Sequence, residues 1–319
     1  MAVNTTSTLS DQFQKYFSKQ LLEKIMPTLR LAPFAKKSPL PGKSGSKEMR
    51  WFRFAAPSTA NIQEVSTEGT TPGSSEKSLS LETVDAVLTQ YLQYITLTDI
   101  LTATELFNHV EESIREHGED AALHMDNLIR NELASNETGK NYVYADTDWA
   151  NSNSTAISAS NVLDAVTALK IDSAPTVDGN HYAGVFPCET ARDLMRDSDW
   201  LEVHKYSAPD GLFEGEVGKL YGCRVLETNQ GFRSESTGSQ YSYSASGDTY
   251  SSFVFGRNAY GVPELNSQSP FSPQVIIADT ADKSDPGNLK TVVTYKSFYT
   301  AKTLQPKWVA EIYSGTAFS

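Results

Sequence analysis

The residues best suited to acid–base chemistry or metal ligation are five histidines, His109, His117, His124, His181 and His204. The first three stand eight and seven residues apart. Ligation from adjacent helical turns needs a spacing of four, as in His-Glu-x-x-His, so this spacing predicts surface or satisfied core histidines and not a zinc site. Cys188 and Cys223 are the only cysteines. They fit no metal or redox spacing and read as reduced thiols in a cytoplasm, not as a disulfide framework. Asp146-Thr147-Asp148 begins like a calcium loop, but Ala150 stands where the next oxygen ligand belongs. Gly42-Lys43-Ser44 matches the end of a phosphate-binding loop, yet Lys37 occupies the position of its first glycine. Gly215, Gly218 and Gly222 lack the dinucleotide spacing and read as turn glycines. No Gly-x-Ser-x-Gly elbow occurs. Glu111-Glu112 and the pair Asp197/Asp199 read as solvated helix faces or caps. A glycosidase carboxylate pair leaves no sequence signal, so that enzyme class stays open. No catalytic residue, cofactor-binding residue or metal ligand is assigned, and no cofactor is expected.

The elements that would position any chemistry centre on one stretch. From Thr104 to Ala134, apolar residues recur every three or four positions: Leu106, Phe107, Val110, Ile114, Ala121, Met125, Leu128, Ile129 and Leu133. That is the period of one helix face. Thr98 or Thr102 can cap the start, and Ser135-Asn136 closes the pattern. The expected helix is roughly 45 Å long at ~1.5 Å per residue. The chain of 319 residues has room for one large or two ordinary domains. It contains no apolar run of membrane-spanning length, and its polar start predicts no signal peptide. No membrane partner is expected.

The net charge of −12 argues against a body built mainly to bind nucleic acid. Residues 1–50 reverse the sign, with nine Lys or Arg against three Asp or Glu. Lys36, Lys37, Lys43 and Lys47 lie in this arm. It reads either as a contact for nucleic acid or an acidic neighbour, or as a solvated arm with spare lysines.

Along the chain, Ser10 to Met26 predicts a short amphipathic helix with Phe13, Phe17, Leu21 and Ile25 on one face. Leu29 to Lys47, with three prolines, predicts extended chain without a core of its own. Met49 to Ala55 predicts a strand. Leu79 to Leu97 predicts one long strand with Leu79, Leu81, Thr83, Tyr91, Gln93, Ile95 and Leu97 on one face. The two form a long hairpin. Its tip, Pro57 to Lys77, offers chiefly Ile62 and Val65 as apolar groups and Gly69, Pro72 and Gly73 as turn formers. Ordering about twenty tip residues costs roughly 1–2 kcal/mol each, while burying a large aliphatic side chain returns only roughly 1.5–3 kcal/mol. The hairpin is therefore expected to be mobile or docked on another chain.

Beyond the long helix, 136–160 predicts a polar loop anchored by Tyr142, Tyr144 and Trp149. Helices are expected at Asn161–Ile171 and Cys188–Arg196. Strands are expected at Tyr182–Phe186, Leu220–Thr228, Phe253–Phe255, Gln274–Ala278, Leu289–Leu304 and Trp308–Tyr313. Gln230 to Ser252 reads as a low-complexity surface loop.

Several stretches, in this order, resemble a known family. They are Thr8-Leu9-Ser10-Asp11-Gln12, Thr67-Glu68-Gly69-Thr70-Thr71-Pro72, Gln90 through Asp99, Glu214 through Val225, Phe255 through Gly261, and Thr291 through Lys296. Their order and spacing resemble the HK97-type major capsid proteins of tailed phages, and look closest to the N4-like phage coat protein family. The resemblance implies an α+β, HK97-like capsid fold. Its parts would be an N-terminal arm (1–48), an extended E-loop hairpin (49–96), a peripheral domain with a long spine helix (97–158), an axial domain (159–272) and a return to the peripheral domain (273–319).

The implied work is self-assembly, without catalysis, into an icosahedral shell of pentamers and hexamers around packaged double-stranded DNA. Portal, scaffold or decoration proteins are further implied partners. The implied location is the virion, with assembly in the host cytoplasm. Subunit contacts are expected from Ile62, Val65, Glu68, Gly69 and Pro72, and basic contacts from Lys36, Lys37, Lys43 and Lys47. Some members of the fold crosslink through a hairpin lysine; Lys77 lies at the right end of the hairpin, but no matching acid and asparagine pair with it. Two other readings remain: an encapsulin-like compartment shell, and a phage tail or adhesion module binding through 230–252.

Overall fold

The computed structural model describes residues 30–40, 47–54, 59–65, 68–69, 80–104, 109–135, 137–206, 216–235, 239–244, 246–265, 271–276 and 289–318. The expected helix at Ser10–Met26, and the positions Leu106, Phe107, Lys43, Pro72, Gly73, Lys77 and Leu79, lie outside these residues.

The core is built on a seven-stranded mixed sheet. Its path runs β5 (Asn141–Tyr144), β15 (Val309–Ser314), β10 (Thr249–Phe255), β6 (Tyr182–Pro187), β8 (Cys223–Thr228) and β7 (Glu216–Leu220), with β9 (Phe232–Ser234) paired to β10. The strands β6, β10 and β15 are buried on both faces along their whole length, which suits near-continuous apolar runs in the middle of a covered sheet. Alternate residues serve two cores. Phe253, Phe255 and Val185 face one, with Met125, Ile129 and Leu133 of the long helix α2 (His109–Leu133). Val254, Ile312 and Phe186 face the other, with Val162, Val166 and Leu169 of α3 (Ala159–Ile171) and Leu194 of α4 (Cys188–Arg196).

The helical expectations at α3 and α4 hold, within two residues at α3. Ser158 caps α3 in a reciprocal box with Asn161. A short α5 (Ser198–Tyr206) follows α4. Asp197 caps as expected, accepting the Ala159 N–H at 2.8 Å and the Asp199 N–H at 3.1 Å.

The stretch expected as one helix from Thr104 is described as the helix α2 alone. A separate short helix, α1 (Asp99–Thr104), precedes it, and Thr98 Oγ1 accepts the Leu101 N–H. The 25 residues of α2 then span about 37 Å. Its apolar stripe packs against β4 (Thr89–Thr98) and β13 (Lys290–Tyr299), which with β12 (Phe271–Ile276) form a three-stranded antiparallel sheet.

Four expectations are corrected. The stretch 79–97 is two strands, β3 (Leu81–Val87) and β4, paired to different partners. Leu88 breaks them, its N–H donating to the Lys47 carbonyl. The break shifts the side-chain parity, so Val84 and Ala86 point inward, and Leu81 and Thr83 outward. Residues 220–228 are a hairpin's end: β7 turns into β8 at Tyr221 (φ +49) and Gly222 (φ +85), the two positive angles of a type I′ turn. The loop 136–160 contains strand β5, parallel to β15, with Tyr142 and Tyr144 stacked on Tyr313.

The insert 230–252 is not only surface. Its two ends pair as β9 and β10, and Phe232 is fully buried, because burying an aromatic ring outweighs the polar composition around it. Residues 30–40 have no core of their own, as expected, and they dock on the core of the body. Leu31 is buried against α2, and β1 (Lys36–Leu40) runs parallel to β11 (Tyr260–Leu265), which also carries the short β14 (Lys302–Thr303).

Candidate functional site

The element that projects from this body is the hairpin of β2 (Glu48–Phe54) and β3. Seven cross-strand pairs hold it, from Glu48 opposite Val87 to Phe54 opposite Leu81. Period-two alternation gives it two unlike faces. The inner face carries Met49, Trp51 and Arg53 across from Ala86, Val84 and Glu82. Trp51 packs on Ala86 and Leu304, and its indole N–H donates to Ser38 Oγ at 2.8 Å. Arg53 donates to the Leu304 carbonyl at 2.8 Å and to Gln305 Oε1. The root of the hairpin is therefore clamped to β1 and to the β14 region.

The apolar side chains of the outer face are left uncovered by the described residues. Phe52, Phe54 and Leu81 are 63%, 68% and 51% exposed. The register sets Phe54 beside Leu81 and Phe52 beside Thr83, followed by an Arg50–Asp85 ion pair at 2.6 Å. Two aromatic rings and a leucine on one two-stranded ribbon form an apolar patch of the kind that marks an interaction site. A cleft of about 270 Å³ adjoins it, with Phe52, Phe54, Trp51, Trp308 and Lys36 among its walls.

The hairpin candidates at the tip are surface residues. Ile62 and Val65 are 76% and 58% exposed, and Glu68 and Gly69 are exposed as well. Gly69 has φ +80, a conformation that favours glycine, and a Cβ there would touch nothing within 4 Å. Lys36 and Lys37 are exposed on β1, and Lys47 is exposed at the foot of β2. Lys36 thus meets the hairpin's root through the cleft, whose walls include none of the tip candidates. Phe52 and Phe54 were legible as strand residues but not as contact residues. The available signal was the density of rings at Trp51, Phe52 and Phe54, which puts aromatics on both faces of one strand.

Among the described residues, those with chemical potential do not converge. His117 is buried, with Nε2 3.1 Å from the Val293 carbonyl and its ring edge-on to Tyr295. His124 lies edge-on to Tyr91, and burial lowers its pKa. His181 sits beside Asp178 at 3.2 Å. Asp146 and Asp148 accept the N–H groups of Thr147 and Asn151, as turn-capping carboxylates. Cys223 is fully buried, and burial pushes the Cys188 thiol up to about 12. Among the described residues, no group of three His, Cys, Asp or Glu side chains is arranged to hold a metal ion. No described helix is long and apolar enough to cross a membrane.

No protein-family model matches the chain, and no curated protein matches it. Solved structures do. The capsid of cyanophage P-SCSP1u is similar over 89% of this chain and 87% of that chain, at 13% identity and a TM-score of 0.63. The capsid of Ralstonia phage GP4 is similar over 89% and 87%, at 14% identity and a TM-score of 0.62. A virus-like particle from Pyrococcus furiosus is similar over 94% of this chain and 99% of that one, at 10% identity and a TM-score of 0.53. The chain therefore has the α+β, HK97-like fold of phage capsid chains.

Proposed function

We propose that this chain is a major capsid protein that self-assembles into an icosahedral shell around phage double-stranded DNA. The observation that carries this reading is likeness to phage capsid chains over nearly the full length of both partners. The subunit's own geometry supports it. A hairpin clamped at its root carries an aromatic face that the described residues leave exposed, and the described apolar residues of its tip, Ile62 and Val65, are exposed as well. Such a surface gains free energy only when another chain covers it.

In this reading the hairpin is the E-loop and residues 1–48 are the arm. Residues 97–158 are the peripheral domain with α2 as its spine helix, 159–272 are the axial domain, and 273–319 return to the periphery. Pentamers and hexamers form the shell, and the function is binding without catalysis. Membership of the N4-like coat family is the finer assignment, supported by the ordered sequence stretches. Portal, scaffold or decoration proteins, and assembly in a host cytoplasm, belong to the same proposal.

A second reading, an encapsulin-like compartment, is favoured by the likeness to the Pyrococcus furiosus particle, though at a lower TM-score. Electron microscopy and light scattering of the purified chain test both. Closed shells or capsomers are expected; tubes, trimers or a stable monomer across micromolar concentrations overturn the shell reading. Nuclease-protected DNA in particles from infected cells separates a phage head from a cargo compartment.

A further inference from the structure

The cleft of about 270 Å³ beside the hairpin is smaller than the ~300–1,000 Å³ usual for small-molecule pockets, a size that suits a few side chains. Trp51, Val84, Leu304 and Trp308 give it apolar walls, and Lys36 brings an exposed ammonium. The other cationic wall residue, Arg53, is committed to Glu82 at 2.6 Å and to the Leu304 carbonyl at 2.8 Å. Two further exposed cations stand next to wall residues in the chain, Arg257 beside Asn258 and Lys307 beside Trp308. On a chain of net charge −12, this edge is locally basic.

The tip of the hairpin has the opposite character. Between Phe54 and Lys77 the sequence holds Glu64, Glu68 and Glu76 and no Lys or Arg. The Ile62 N–H donates to the Thr59 carbonyl at 2.9 Å, a turn after which Ile62, Glu64 and Val65 are all exposed. Two aliphatic side chains flanking a carboxylate match apolar walls under a cationic edge. The subunit's own tip does not fill the cleft, because none of the described tip residues lines it.

We infer that this cleft receives the hairpin tip of a second copy of the chain, with Ile62 and Val65 against the Leu304 and Trp308 walls and Glu64 beside Lys36. Tip and cleft are different surfaces, so each copy gives one and receives one. Such a heterologous contact closes into a ring when its rotation allows. The inference rests on the shell reading and names the surface of the neighbour that the tip meets.

The variants Ile62→Cys and Lys36→Cys, both at exposed positions, are mixed at a concentration where light scattering shows capsomers or particles, treated with a short bis-maleimide and mapped by mass spectrometry. A peptide linking position 62 to position 36 is expected. It should be about tenfold more abundant than a link from position 62 to Leu163→Cys, an exposed site on α3, because docking raises the local concentration of one thiol at the other. Equal abundance overturns the inference. Gln63→Cys replaces Ile62→Cys if the latter prevents association. In the double variant Ile62→Cys, Lys36→Cys, diluted until only monomer scatters, the link should be absent. Its presence seats the subunit's own tip in the cleft and overturns docking between copies. If position 36 gains maleimide reactivity after nuclease treatment and gives no link to position 62, nucleic acid fills the cleft and the inference falls. Particle formation is read separately. Particles without the 62–36 link refute this contact and leave the shell reading standing, whereas a chain that never associates removes both.

Discussion

Lys140 and Glu311 form an ion pair at 2.5 Å in which both side chains are out of solvent. The Lys140 ammonium also donates to the carbonyls of Leu133 and Ser135, at the end of α2. One cation thus ties the last turn of α2 to β15 in the central sheet, and it supplies a donor to the Leu133 carbonyl, one of those that helix geometry leaves without a helical partner.

Removing one partner should be costly, because the other is left buried and charged. Lys140→Met is expected to destabilise the subunit by about 3–5 kcal/mol in denaturant unfolding. The double variant Lys140→Met, Glu311→Leu should recover most of that loss, since a well-packed apolar pair is often neutral. A double variant as unstable as the single one would refute this account.

Asp178 predicts an acid-dependent term. Burial pushes its carboxyl up, but the N–H groups of His181 and Asn180 and the guanidinium of Arg224 outweigh burial and hold its pKa well below the usual carboxylate range. A depressed pKa contributes stability that is present above the unfolded value of about 3.9 and is lost as pH falls toward the folded value. Asp178→Asn should therefore be less stable than the parent at neutral pH, and the gap should narrow below about pH 4. A gap that stays constant down to acid unfolding would count against this origin.

The outer face of the hairpin separates folding from assembly. Phe52→Ser, Phe54→Ser and Leu81→Ser each remove an exposed side chain, so each should change subunit stability by no more than about 0.5 kcal/mol. Combined, they should abolish particles in electron micrographs. Normal particle yield from the triple variant would exclude this face as a contact.

The tip makes a parallel case. Replacing Ile62–Lys77 with a short Gly-Ser turn should leave the melting temperature of the unassembled body within a few degrees of the parent and prevent shell formation. Gly69→Val is the milder form, adding about 1–2 kcal/mol of backbone strain at a positive φ where no neighbour clashes. Intact shells from the replacement, or a body unable to fold without the tip, would each contradict the proposal.

The arm lysines should act only as a group. Exposed charge pairs are worth ~0–1 kcal/mol each, so single Lys→Ala changes should be silent. Neutralising Lys36, Lys37, Lys43 and Lys47 together should lower particle yield or DNA content. Parental values for both in the quadruple variant would remove these residues from the assembly interface.

What the amino-acid order determined by itself was local and periodic. The helical repeat through Ile114, Met125, Ile129 and Leu133 identified helix α2, because a 3.6-residue period leaves few alternatives over 25 residues. Cys188–Arg196 was legible to the residue, since Pro187 sets its start. The poverty of apolar groups around Ile62 and Val65 was enough to foresee that these two side chains lack cover within the body. Tertiary structure alone decided what depends on partners distant in sequence. Leu88 breaks a run that reads as one strand because Lys47, far upstream, takes its N–H, and that single shift sends Leu81 outward beside Phe54. Phe232 enters the core through pairing of β9 with β10, against its Ser-rich surroundings. The outward aromatic face and the buried Lys140–Glu311 pair were likewise invisible, because a strand's alternation does not say which face the body covers, and 171 residues separate the two charges.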